Sequence, residues 1–128
     1  MAKIAVLYDA GQALLSTFDM DEVLQRILAI ARDYFHLQNV AILLLDQDAQ
    51  QLCVRSQIGW DAGTDQIRLD LGKGLTGAAA LKKQPIYAAD VNQHADYICS
   101  TNSTRSELAI PLMVRDEVVG VLDCQSDH

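Results

Sequence analysis

An α/β fold with a mainly antiparallel sheet of five or six strands is the fold class this sequence predicts, and three observations predict it. Apolar runs of strand length, rich in β-branched residues, recur around short polar breaks. Two longer stretches near the N-terminus carry apolar residues at helical spacings of three and four. The 128 residues, half of them hydrophobic, suit one domain with one core.

The first helix is expected over residues 3–17, with Ile4, Leu7, Gly11 and Leu14 along a seam that has no clear burial within the domain. That seam suits a dimer or linker helix as well as a packed one. Asp19 is expected to cap a second helix, with Glu22 completing a capping box and Val23, Ile27, Ile30, Ala31 and Tyr34 as its buried stripe. Residues 40–46 and 51–58 form a hairpin across the turn at 47–50, and a short strand is expected near 66–69. The glycines of Gly72-Lys73-Gly74-Leu75-Thr76-Gly77 permit a tight turn into a helix over 75–83. The stretch lacks the Gly-Lys-Ser/Thr ending of a phosphate loop. Pro85 ends the helix, and residues 86–89 make a short strand. Residues 90–105 form a polar loop, with one helical turn near 95–99.

The last hairpin organises the chain. Leu108, Ile110, Leu112 and Val114 share one face before the break at Arg115-Asp116, and the run 118–124 returns. Apolar residues on both faces place this hairpin at the centre of a sheet covered on both sides. Pro111 cannot donate a ladder hydrogen bond, so a bulge or an unpaired edge position is expected there. Glu107 opens the first strand and Asp123 lies near the end of the second, so antiparallel pairing brings them to the same end of the sheet. They are solvated strand ends or the floor of a shared cavity; a buried pair would repel and raise at least one pKa.

Net charge is −7 with a pI near 4.6, which argues against general affinity for nucleic acid or an anionic membrane. No run is long and apolar enough to span a bilayer, and no leader is evident. Cys53, Cys99 and Cys124 match no zinc spacing and read as reduced thiols of a cytoplasmic protein. No metal set or Ser-His-Asp set emerges, and no cofactor is singled out.

Ser106-Glu107-Leu108-Ala109-Ile110-Pro111-Leu112, a turn, and Val118-Val119-Gly120-Val121-Leu122-Asp123 resemble the closing signature of a GAF domain. Residues 72–77, Pro85-Ile86-Tyr87 and Asp90-Val91 resemble its middle segment, so the resemblance runs over roughly residues 20–125. It implies helices on one face of the sheet and a loop-capped pocket on the other. It also implies a regulatory module that senses a small molecule, or dimerises, within a larger signalling protein bearing an output domain. The family's usual C-terminal helix is not found within 1–128. The pocket is expected to be bounded by Trp60, Tyr97, Cys99, Ser106, Glu107 and Asp123, with Asp90 at its edge, and to favour a ligand bearing an amino group.

Some GAF proteins are free methionine-R-sulfoxide reductases. Glu107 and Asp123 match the carboxylates that hold their substrate. The catalytic cysteine's place falls on Ser100, with Cys99 one residue early, and Thr76 stands where the resolving cysteine belongs. The expectation from these departures is a non-enzymatic module.

Overall fold

The computed structural model describes residues 2–16, 19–60, 67–93 and 104–128, the backbone alone being described for residues 2 and 11–16. Two helices lead: α1, Ala2–Ser16, and α2, Met20–Phe35. Strands β1, Asn39–Asp46, β2, Gln51–Ile58, and β3, Arg68–Asp70, follow. Helix α3, Gly74–Lys82, leads into β4, Ile86–Ala88, and the chain closes with β5, Ser106–Val114, and β6, Glu117–Ser126. The six strands form one sheet in the order β3-β2-β1-β6-β5-β4, every neighbouring pair antiparallel. The closing hairpin therefore occupies the middle of the sheet, with β6 between β1 and β5.

Pro111 is accommodated within this arrangement. β4 ends opposite Ala109, so farther along β5 has a neighbour on one side only. Pro111 falls in that stretch, and the β5–β6 register slips just past it, between Leu112 and Met113.

The two faces of the sheet carry separate cores. On one, Leu43, Leu52, Val118 and Val121 pack with Leu75, Ala79 and Ala80 of α3. On the other, Val40 and Ile42 pack with Leu24 and Leu28 of α2. Side-chain alternation along β1 separates the two sets, with Ala41 and Leu43 on the α3 side and Val40 and Ile42 on the α2 side.

Helix α2 begins where the sequence places it. Asp19 is extended, and its carboxylate accepts from the Asp21 N–H at 3.0 Å. Glu22 does not complete the box; it pairs with Arg26 one turn on. The predicted buried stripe is out of phase. Leu28 is fully buried with Leu24 packed beside it, whereas Ile27, Ile30 and Tyr34 are 49%, 69% and 76% exposed. The helix carries two apolar stripes, and Gln25 decides between them. Its Nε2 donates to Ser56 Oγ at 2.7 Å and to the Gln57 carbonyl, turning the Leu24–Leu28 side to the sheet. Leu28→Ala is expected to cost about 3 kcal/mol in denaturant unfolding, because it opens a cavity under α2.

Candidate functional site

The β6 ladder assembles the site. Glu107 lies directly opposite Gln125, and Gln125 opposite Asn39, making a polar row across β5, β6 and β1. In the next row Asp123 stands between Ala41 and Ala109. Both alanines belong to the α3-side core, so the four polar side chains share that face. All four are buried: Asn39 and Asp123 fully, Gln125 at 2% and Glu107 at 5% exposure.

Gln125 bridges the acids. Its Nε2 donates to Asp123 Oδ2 at 2.7 Å and to Glu107 Oε2 at 3.3 Å. The Thr104 hydroxyl donates to its Oε1 at 2.8 Å, which fixes the amide with its nitrogen toward the carboxylates. Glu107 and Asp123 also share a direct hydrogen bond. Burial, then the bond and the negative charge of Asp123, push Glu107 up to about 11, against a smaller opposing effect of Gln125. Burial raises Asp123 as well, while its bonds to Glu107 and Gln125 pull it back. Of the two, Glu107 is the one held as the acid, and Asp123 the one whose hydrogen bonds favour the carboxylate.

Hydrogen-bonding capacity is left over at this end of the sheet. Among the described residues, Asp123 Oδ1, both polar atoms of the Asn39 amide and Trp60 Nε1 are buried with no hydrogen-bond partner. Trp60 packs against the α3-side core, and its backbone N–H donates to Gln57 Oε1 at 3.1 Å. Buried polar groups are nearly always satisfied, so four such atoms on one face mark a place built to meet something else.

The remaining expected site residues lie elsewhere. Ser106 alternates to the opposite face, where its hydroxyl donates to the His128 carbonyl. Asp90 accepts from the Asn92 N–H and opens a single 3-10 turn, Val91–Gln93. Tyr97, Cys99 and the helical turn expected near 95–99 fall outside the described residues. Asn39 and Gln125 were not anticipated. The available signal was a polar residue at the start of one apolar strand and another two positions beyond Asp123.

A groove of about 520 Å³ lies on the α2 face, lined by Ala31, Phe35, Leu37, Leu108, Leu122 and Cys124. Glu107 borders it only as the residue between Ser106 and Leu108; its carboxyl goes to the other face. Burial, and then the charges of Asp123 and Glu107, push the Cys124 thiol up to about 11, so it is no ready nucleophile at neutral pH.

The fold and sequence have known relatives. The chain is 32% identical over 60 residues to the free methionine-R-sulfoxide reductase of Escherichia coli, a match covering 47% of this chain and 36% of that protein. The solved free methionine-R-sulfoxide reductase of Neisseria meningitidis, in complex with its substrate, superposes with a TM-score of 0.78 at 30% identity. That superposition covers 86% of this chain and 64% of the other. The GAF domain of an Acinetobacter phosphoenolpyruvate-protein phosphotransferase shares the fold, with a TM-score of 0.78 at 22% identity over the whole of this chain and 78% of that one.

The expectation of a non-enzymatic module is corrected by the two reductases, which are enzymes. It rested on where Thr76 and Cys99 fall along the sequence. A thiol's reach is set by its position in space, and Cys99 belongs to residues the structure does not describe. The family profile of the GAF domain matches residues 19–128, and the chain belongs to the GAF domain family.

Proposed function

We propose that this domain binds a small molecule through its amino group at the Glu107–Asp123 pair, and that occupancy regulates the larger cytoplasmic protein and output domain to which it belongs. The buried carboxylate pair carries this reading. An ammonium supplies the positive charge that Asp123 lacks, in a place where an unpaired charge is costly. Free methionine-R-sulfoxide is the first ligand to offer, because the similar Neisseria protein holds its substrate in the same fold. Titration calorimetry of this chain with free methionine-R-sulfoxide tests it, with Glu107→Gln and Asp123→Asn as controls. Binding that both variants retain at full strength excludes the acid pair from recognition. Thiol-dependent turnover, measured in the same samples and in Cys99→Ser, reports whether the bound sulfoxide is reduced.

A second property, self-association, is supported by the surface of the two leading helices. In α2, Met20, Val23, Ile27, Ile30 and Tyr34 follow one another at spacings of three and four, and all but the half-buried Val23 are exposed. Ile4, Val6, Leu7 and Tyr8 of α1 are exposed too. Such a seam is the kind that pairs helices. Sedimentation is expected to show a homodimer that Ile30→Glu dissociates; a monomer at high concentration removes this property.

A further inference from the structure

Gln125 and Glu107 are tied to each other within the polar row, and the row's far end differs. Asn39 is fully buried, yet neither its amide nitrogen nor its amide oxygen meets a partner among the described residues. An asparagine so placed gives up its hydration for nothing within the fold, and an apolar residue of the same size would be the stable choice. Backbone geometry holds it there. Gly59 has a left-handed φ of +88°, and a Cβ at that position would strike the Gln38 carbonyl oxygen and come within 3.0 Å of Asn39 Cβ. The chain thus runs tightly over Asn39 and then delivers Trp60, whose indole N–H is a second buried donor without a partner among the described residues.

These atoms divide by chemistry. Asp123 Oδ1 and Asn39 Oδ1 accept; Asn39 Nδ2 and Trp60 Nε1 donate. A simple amine satisfies the acceptors only, and a simple anion the donors only. Asn39 faces Gln125, and Asp123 lies two residues before Gln125, so Asn39 and Asp123 are a diagonal pair on neighbouring strands. Such pairs stand roughly 7–8 Å apart. A molecule with an ammonium and an oxygen a few bonds from it spans that gap.

We propose that Asn39 is a specificity-determining residue: its amide, helped by the Trp60 indole N–H, receives an oxygen of the bound molecule while the acids hold its ammonium. The assignment rests on the amino-group site proposed above and adds the second point of attachment. It gives Asn39 the task of separating zwitterionic, amino-acid-like ligands from plain amines.

Calorimetric titration of the whole chain with free methionine-R-sulfoxide tests this, comparing wild type, Asn39→Leu, Asn39→Asp and Trp60→Phe. Asn39→Leu removes both unmatched atoms at similar volume. It is expected to melt at or above the wild-type temperature while losing about 10- to 100-fold in affinity. Should the leucine fail to fold, Asn39→Asp keeps the shape, replaces the donor by a third acid, and is expected to lose at least as much. Trp60→Phe keeps the ring and loses the N–H, for a smaller loss. Wild-type affinity in a folded Asn39→Leu or Asn39→Asp chain overturns the role of Asn39. If those two bind normally while Asp123→Asn does not, the amino-group site stands and Asn39 alone is dismissed. No binding by wild type removes the amino-group reading and Asn39's role together.

Discussion

Asp123→Asn is expected to weaken binding of free methionine-R-sulfoxide by roughly 100-fold, about 3 kcal/mol, and Glu107→Gln by roughly 10-fold. The asymmetry follows from where the proton sits. Burial and the neighbouring carboxylate hold the proton on Glu107, while the hydrogen bonds Asp123 accepts favour its ionised form, so an ammonium is met by Asp123. Replacing Asp123 leaves Glu107 alone in a dry site, where it stays neutral, and the ammonium then meets no charge at all. Replacing Glu107 leaves the Asp123 carboxylate in place, and the new amide oxygen still accepts a hydrogen bond. Calorimetry at pH 7 separates the two. Equal losses contradict the assignment of the proton, and unchanged affinity in both contradicts the site.

The same pair sets how stability depends on pH. Glu107 sits well above its ordinary value of 4.5 in the folded chain, so the native state binds a proton that the unfolded chain gives up. Stability from this group is complete below about pH 4.5 and is lost progressively as pH rises toward about 11. By pH 7 the loss amounts to about 3 kcal/mol. Glu107→Gln has no proton to hold, so it is expected to be more stable than wild type by that amount at pH 7 and indistinguishable from it near pH 4. Urea unfolding across this range measures the difference. A gain that does not change with pH, or a destabilised variant at pH 7, refutes the buried-acid account. The expected gain would mean that the carboxyl is retained at a cost to folding, as recognition groups often are.

The strands were legible because their signal is local. Alternation along 106–114 and 117–126, with a two-residue break, is enough to set the hairpin, and the hairpin's register brings Glu107 and Asp123 to one end. The helix phase was not legible. Two apolar stripes on α2 satisfy the helical period equally well, and the choice falls to Gln25, whose partners on β2 are thirty-one and thirty-two residues away in the chain. Ser106 was assigned to the pocket by its place in a motif, yet the residue beside Glu107 in a strand must face the other way. Asn39 was missed for a related reason. Its meaning comes from the strand it pairs with, and nothing in the neighbouring sequence points to Gln125.

The alternation along β1 has a mechanical corollary. Asn39 belongs to the polar row, and the very next residue, Val40, is fully buried in the cluster that includes Leu28 of α2. One peptide unit therefore separates the chemistry on one side of the sheet from the helix on the other. β1 is thus a partition one residue thick, and on the reading proposed above a shift at Asn39 would need no long chain of contacts to reach the seat of α2.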